Sequence, residues 1–302
     1  MTPVARDAAK TPRHLFAGRG GPVSGRGDEQ RLRGTQETRV APEHVGSHGW
    51  LVGLVFVLGT MLGSFANVLI HRLPRRESIV TPGSRCPHCH TPIRPWDNLP
   101  ILSYLLLRGR CHRCGSRISP RYLIVEVLGG ALLAALVWRF GVTLVAVRFA
   151  ILALALLVVF FTDLETGLIP NAITYPGIVV GLILAAVWGR DAFVSSLLTA
   201  AGAGGVFLLI GILSRLAFRQ EAMGVGDMKL AAMLGAFLGT PGVIVALFLA
   251  VAIGAAAGLI LIGLRLRTRK DVIPFGTALA AGAVIAMFSQ EAILRWYLGR
   301  LL

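Results

Sequence analysis

The sequence predicts an all-α polytopic membrane protein with about eight transmembrane helices and a small cytoplasmic zinc-binding loop module. Three observations lead to this prediction: 55% of the residues are hydrophobic, apolar stretches recur between turn and charge signals, and all four cysteines lie in one loop. Only 15% of the 302 residues are charged, and the mean hydropathy is +0.70. These values exclude an ordinary soluble fold and a fully disordered chain.

Residues 1–48 differ in composition from the rest of the chain. They are rich in Gly, Arg, Thr and Pro and show no hydrophobic periodicity. This composition predicts a disordered N-terminal tail, to which we assign no function. The segment lacks the apolar core of a signal peptide, and a start codon assigned too far upstream is an alternative explanation for it.

The rest of the chain is predicted to contain a first transmembrane helix (49–70), an extramembrane module (71–122) and a membrane domain of seven helices (123–302). Each apolar segment is compared with the roughly 20 residues that a helix needs to cross hydrocarbon. The segments predicted to span the membrane are 50–70, 123–137, 142–161, 173–188, 193–213, 228–238, 243–264 and 273–288.

The distribution of basic residues predicts the orientation of these helices. The formal net charge is +15, and Lys and Arg in short loops resist translocation across the membrane. Alternate loops are rich in arginine: residues 71–121 hold ten, and further basic residues lie at Arg215, Arg219 and 265–270. The remaining loops hold little beyond Arg139, Arg148 and Arg190. The arginine-rich loops are therefore predicted to be cytoplasmic, and the charge needs no nucleic-acid partner, although a basic loop can attract anionic membrane lipid.

The extramembrane module contains two CxxC motifs with 21 residues between them, just beyond the usual spacing of a Cys₄ zinc site. A single redox-active CxxC would need a βαβ context that this sequence lacks. Four thiolates leave no open coordination position, so the predicted zinc is structural. The predicted ligands are Cys86, Cys89, Cys111 and Cys114. The neighbouring His88, His90 and His112 are interpreted as surface or supporting residues.

Two acidic residues stand out because of their positions. Asp163 ends a long apolar helix, and Asp227 ends the sequence Gly224-Val-Gly226-Asp227 before another. The simpler interpretation makes Asp227 an N-cap and leaves Asp163 and Glu165 as solvated interfacial acids. Two observations favour a functional role instead. Ionisable residues at membrane depth usually have a function, and Gly224 and Gly226 permit a close approach of the backbone. The following segment, 228–238, would be only about 16 Å long, so its start can lie inside the membrane.

Taken in order, these motifs resemble the bacterial type IV prepilin leader peptidase/N-methyltransferase family, whose members are GxGD intramembrane aspartic peptidases. GxGD alone is a weak signal, whereas the ordered set with paired CxxC motifs is specific. The resemblance covers nearly all of the chain after the tail. The matching segments are 63–74, 86–89, 96–100, 107–114, 118–126, 163–171, 224–229 and 274–276.

The resemblance implies an enzyme that removes the basic leader from type IV prepilins and pseudopilins on the cytoplasmic side of the inner membrane, after a glycine. It implies N-methylation of the new N-terminus with S-adenosylmethionine, an activity that rests on the likeness of module 71–122 alone. The partners would belong to type IV pilus or type II secretion systems. Asp163 and Asp227 would form the catalytic pair, with Gly224, Gly226 and Lys229 shaping the site.

A second class of function stays open at this point. A membrane transporter or an assembly scaffold could use Asp163 and Asp227 as an ion relay, with the zinc module as a docking platform. Such a protein is expected to show inverted repeats or further acids within its helices. The sequence shows neither, apart from Glu126 near the start of its helix, where interaction with the helix dipole is the simpler explanation.

Overall fold

The computed structural model describes residues 49–218, 224–265 and 274–298. The predicted tail, residues 1–48, lies outside these ranges. The described chain is helical, and its only β-type pairing is two isolated bridges in the extramembrane module. We number the helices α1 (Gly49–Arg72), α2 (Leu102–Leu106), α3 (Arg121–Phe140), α4 (Leu144–Thr166), α5 (Asn171–Val187), α6 (Arg190–Phe218), α7 (Val225–Gly263) and α8 (Phe275–Leu298); a 3₁₀ turn covers Pro95–Asn98.

Six of the described helices are long and apolar enough to cross a membrane, namely α1, α3, α4, α6, α7 and α8. Helix α5 is apolar but shorter, at 17 residues. Many large apolar side chains on the outside of the bundle are exposed, including Leu209, Phe248 and Leu259. Such a surface suits contact with lipid rather than water, and the prediction of a multi-pass membrane protein is confirmed.

Helix α7 is interrupted near its middle. Gly239 has a φ of 68° and a ψ of 177°, a conformation outside the helical region that glycine tolerates. Pro241, which has no backbone N–H, follows two residues later. We call residues 225–238 the first arm of α7 and residues 240–263 its second arm.

The two arms of α7 run in opposite directions. Gly226 in the first arm and Gly276 in α8 both lie against Ile169. Gly254 in the second arm lies against Ala278, only two residues after Gly276. In a straight helix, residues 226 and 254 would be about 42 Å apart. The chain therefore folds back at Gly239. Counted separately, the two arms of α7 and the six helices α1, α3, α4, α5, α6 and α8 correspond to the eight predicted membrane segments.

Glycines allow neighbouring helices to approach the first arm of α7 closely from two sides. Gly177 of α5 lies against Met233, and Gly204 of α6 lies 3.2 Å, measured from an ideal Cβ position, from the Cβ of Ala232. Close packing of this kind is typical of small residues in membrane helices. The first arm is thus enclosed by α5 and α6, and its side chains Leu230 and Leu234 are fully buried in the core.

Helices α1 and α3, which flank the extramembrane module, also meet through glycines. A Cβ atom on Gly59 would lie 2.6 Å from the carbonyl oxygen of Gly129, and one on Gly63 would lie 2.9 Å from the Cα of Glu126. Only glycine fits at such distances. The two ends of the module are therefore held next to each other by the helices from which it extends.

Candidate active site and metal centre

Asp163 lies in the last turn of α4, and its side chain is buried. Its Oδ2 accepts hydrogen bonds from the backbone N–H of Thr277 at 2.6 Å and from the Thr277 hydroxyl at 3.0 Å. Thr277 is in the first turn of α8, where backbone N–H groups have no partner within the helix. The N-terminal end of α8 therefore orients this carboxylate.

Asp227 lies in the first turn of α7, close to Asp163. The carboxyl groups of the two residues are near enough to interact electrostatically. Gly224 occupies the N-cap position of α7, and the backbone N–H of Asp227 donates to its carbonyl oxygen at 3.1 Å. The simpler interpretation of Asp227 as the N-cap residue was therefore wrong, because the helix begins at Val225, three residues earlier than the apolar pattern suggests.

Three separate motifs of the sequence meet around Ile169, in the turn between α4 and α5. An ideal Cβ on Gly226 would lie 3.0 Å from the Ile169 Cβ. On Gly276 it would lie 2.7 Å from the Ile169 Cδ1 and 2.9 Å from the Asp163 Oδ2. Because Gly226 and Gly276 have no side chains, the Ile169 side chain and the Asp163 carboxylate can occupy this space.

Lys229 contacts α5. Its Nζ donates to the Oδ1 of Asn171 at 3.0 Å and lies 4.9 Å from the centre of the Tyr175 ring. These contacts connect the first arm of α7 to the start of α5.

The other acids near the bundle end have partners of their own. Glu165 accepts from the Nη1 of Arg121 at 2.7 and 2.6 Å. The Oε2 of Glu126 accepts from the backbone N–H of Ile101 at 2.8 Å, which ties the chain before α2 to α3. Neither acid forms a chain with the two aspartates within the described residues, as an ion relay would require.

The four cysteines of the module form one cluster. Their Sγ atoms all lie within 4.8 Å of one another, with 3.8 Å between Cys86 and Cys114 and 4.0 Å between Cys89 and Cys111. A tetrahedral ion with Zn–S distances of about 2.3 Å requires sulfur atoms about 3.8 Å apart. All four are free thiols. The cluster could therefore hold a metal ion, and its spacing fits Zn²⁺.

Two similar turns present the sulfur atoms. In the first turn, the N–H of Cys86 donates to the carbonyl of Thr91. In the second, the N–H of Cys111 donates to the carbonyl of Ser116. The backbone N–H of Cys89 is the main cause that lowers the pKa of the Cys86 thiol to about 6. Backbone N–H groups that point at the sulfur favour the thiolate, which is the form that binds a metal.

None of the three histidines near the cysteines belongs to the cluster, in agreement with their interpretation as surface or supporting residues. Sequence reasoning predicted no contact for three residues that join the helices: Thr277, Arg121 and Arg148. A threonine just after Pro-Phe-Gly at a helix start could have indicated a polar contact for Thr277. Arg148 was counted only as a loop charge, yet its Nη2 donates to the carbonyl oxygen of Ala236 at 2.9 Å.

Comparison with known proteins gives two family matches along this chain. Residues 57–140 match the bacterial peptidase A24 N-terminal domain, and residues 150–259 match the type IV leader peptidase family. The chain belongs to the type IV leader peptidase family. The first match encloses the four cysteines, and the second encloses both aspartates. The predicted family and the predicted enzyme class are therefore confirmed.

Similar curated proteins carry the name prepilin leader peptidase/N-methyltransferase. The protein from Burkholderia pseudomallei strain 1026b is 34% identical over 285 residues, covering 82% of this chain and 92% of the relative. That from Aeromonas hydrophila is 36% identical over 282 residues, covering 83% and 96%. That from Myxococcus xanthus strain DK1622 is 41% identical over 208 residues, covering 69% of this chain and 62% of the relative. No solved structure gives a significant match.

Proposed function

We propose that this member of the leader peptidase family is an aspartic endopeptidase whose catalytic pair is Asp163 and Asp227. The observation that carries the proposal is the proximity of these carboxyls, which are 64 residues apart in sequence, at one end of the bundle. Two neighbouring carboxyls that share one proton provide both a base and an acid.

In the proposed reaction, the ionised aspartate takes a proton from water, whose oxygen attacks the carbonyl carbon of the scissile peptide. The protonated aspartate donates its proton to the carbonyl oxygen. When the tetrahedral intermediate collapses, the pair returns a proton to the leaving amine. The hydrogen bonds from Thr277 to Asp163 support this assignment, because both go to Oδ2 and hold the carboxylate in one orientation. We assign the proton transfers of Asp163 to its other oxygen.

The proposed substrates are type IV prepilins and pseudopilins; the names of the relatives refer to prepilins. We propose that cleavage takes place on the cytoplasmic side of the bacterial inner membrane. The arginine-rich loops support this orientation. Arg215 lies in the last turn of α6, which leads to the first arm of α7, and Arg265 follows the end of the second arm.

We propose that module 71–122 binds one structural Zn²⁺ through Cys86, Cys89, Cys111 and Cys114. When bound, the ion would join the two CxxC turns and add folding free energy to the module. N-methylation with S-adenosylmethionine is a further proposal, supported by the names of the relatives and by the match of residues 57–140. We assign no residue of the module to that reaction.

The test uses the purified full-length protein in lipid nanodiscs with a prepilin that carries a basic leader. Mass spectrometry of the product measures leader removal, and a second sample with S-adenosylmethionine measures the additional methyl group. We expect cleavage by the natural protein and none by Asp163→Asn or Asp227→Asn. Cleavage by both variants near the natural rate would overturn the assignment and favour the transporter or scaffold alternative. Cleavage without methyl transfer would overturn only the second activity.

A further inference from the structure

The fold-back of α7 interrupts the helix at Gly239. The first arm ends at Leu238, and the non-helical conformation of Gly239 turns the following backbone away from the axis of that arm. Pro241 removes a further donor just beyond the break. Carbonyl groups at an interrupted helix end are paired with side chains or with water.

Arg148 supplies one such partner. Its Nη2 donates to the carbonyl oxygen of Ala236 at 2.9 Å, and its guanidinium lies 5.3 Å from the centre of the Trp188 ring. Its Nε is buried without a hydrogen-bond partner, and neither ion pair recorded for the described residues involves Arg148. A cation at the C-terminal end of the first arm also has a favourable interaction with the helix dipole.

The same two helices therefore meet at two places. Near one end of the bundle, Asp163 of α4 lies close to Asp227 of the first arm. Near the other end, Arg148 of α4 binds Ala236 of that arm. Arg148 and Asp163 are 15 residues apart, about 22 Å or about four turns along α4, so they project from a similar side. Asp227 and Ala236 are nine residues apart, about 14 Å along the first arm. The extended arginine side chain spans most of the difference between these two axial distances.

We infer that Arg148 is a positioning residue for the catalytic pair: its hydrogen bond to Ala236 fixes the first arm of α7 along and about its axis, and so holds Asp227 opposite Asp163. This inference rests on the proposed role of the two aspartates. Arg148 does not touch the reacting groups. It acts through the first arm of α7, whose fold-back end is held by the hydrogen bond between Thr199 of α6 and Thr240 and by the contact of Arg148 from α4.

The experiment compares Arg148→Met, Arg148→Lys and Arg148→Gln in the nanodisc cleavage assay, with Arg139→Gln as the control. Arg139 is an exposed arginine close to the same end of the bundle, and its guanidinium lies over the Phe140 ring. The measurements are kcat, KM, the pH–rate curve and thermal unfolding. Each rate is corrected for the folded fraction, so that a loss of stability alone does not change it.

For Arg148→Met we expect kcat to fall roughly 10- to 100-fold, with KM nearly unchanged, because a small displacement of reacting groups has an effect of that size. The pH–rate curve should also become narrower, because carboxyls that are farther apart share a proton less strongly. Arg148→Lys should recover most of the rate, since its ammonium group can donate to the same carbonyl. Arg139→Gln should behave like the natural protein.

If folded Arg148→Met has the same kcat and the same pH–rate curve as the wild-type protein, the inference is wrong. If that variant is not recovered in folded form, Arg148→Gln decides by the same two measurements. Asp163→Asn and Asp227→Asn are assayed in parallel. If they still cleave, the proposed function fails; if they are inactive while the Arg148 variants are natural in kcat and pH dependence, only the positioning role fails.

Discussion

Arg121 and Glu165 join the beginning of α3 to the end of α4. The Nη1 of Arg121 donates to both carboxylate oxygens of Glu165, at 2.7 and 2.6 Å. Glu165 is only two residues after Asp163, but residues at this spacing do not share a helix face. The Glu165 carboxylate is therefore bound to α3, whereas the Asp163 carboxylate is bound to Thr277 of α8.

The first prediction follows for Glu165→Gln. The ion pair is partly exposed, with 40% of the Glu165 side chain accessible, so its loss should lower the free energy of unfolding by about 1 kcal/mol or less. Prepilin cleavage should stay within a few-fold of the natural rate, because Glu165 exchanges no proton with the substrate. The assay is mass spectrometry of the cleaved product, with Asp163→Asn as the inactive comparison. Complete inactivity of folded Glu165→Gln would show that the reactive carboxyl had been assigned to the wrong residue.

The second prediction concerns the two aspartates as a unit. Asp163→Asn and Asp227→Asn should each lower kcat by roughly 10²–10⁴-fold or more, because an amide can neither take up nor release a proton at working pH. The double variant should be scarcely slower than either single variant. The natural protein should have a bell-shaped pH–rate curve whose two apparent pKa values belong to the pair. Independent, multiplicative effects of the two substitutions would argue against a shared step.

The third prediction tests the space beside Asp163. In Gly276→Ala, the new Cβ would lie 2.9 Å from the Asp163 Oδ2 and must displace the carboxylate or α8. We expect a loss of kcat of about 10²-fold, because a displacement near 1 Å at a reacting group has such an effect. Gly202→Ala is the matched control, since no atom lies within 4 Å of its new Cβ. Equal kcat values for both alanine variants would contradict the proposed geometry.

The fourth prediction concerns metal content. Protein purified without chelator should contain about one zinc per chain, and Cys114→Ser should lose most of it, because a structural Zn²⁺ needs four ligands. His112→Ala, an exposed neighbour of two predicted ligands, should keep the metal. Elemental analysis gives the zinc content, and proteolysis of the folded protein measures loosening of the module. Zinc-free natural protein, or zinc loss in His112→Ala, would contradict the four-cysteine assignment.

The fifth prediction concerns orientation. Val80 lies in the arginine-rich module, and Val142 lies in the short connection between α3 and α4; both side chains are exposed. In intact spheroplasts, a membrane-impermeant maleimide should label Val142→Cys but not Val80→Cys, because the module is predicted to be cytoplasmic. Permeabilised cells provide the control, where both variants should be labelled. The opposite pattern in spheroplasts would reverse the predicted sidedness of the active site.

Much of this architecture is predictable from the sequence because the membrane imposes strong constraints. Apolar runs of sufficient length indicate the helices, and the Gly-Thr-Pro-Gly sequence after a short run correctly separates 228–238 from 243–264. Helix ends were less accurate. Helix α3 begins at Arg121 and α6 begins at Arg190, because interfacial arginines continue a helix that an apolar pattern alone ends.

The overlooked contacts depend on how distant segments meet. Thr277 reaches Asp163 only because α8 starts beside the end of α4, 114 residues away in sequence. Arg148 has this hydrogen-bond partner only because the carbonyl of Ala236 is near the fold-back of α7. A local pattern contains the glycine and the proline of that break, but it does not reveal which side chain approaches the free carbonyl.

The fold-back at Gly239 also links this protein to the thickness of the bilayer around it. From Asp227 to Leu238 the first arm is about 18 Å long, whereas the hydrocarbon core of a bilayer is about 30 Å thick. If the fold-back reaches one interface, the aspartates lie about 12 Å below the other one. Surrounding lipids must thin, or water must enter, to relieve this hydrophobic mismatch. Longer acyl chains therefore place the carboxyl pair farther from bulk water, which makes acyl-chain length a determinant of how readily water reaches the peptide bond.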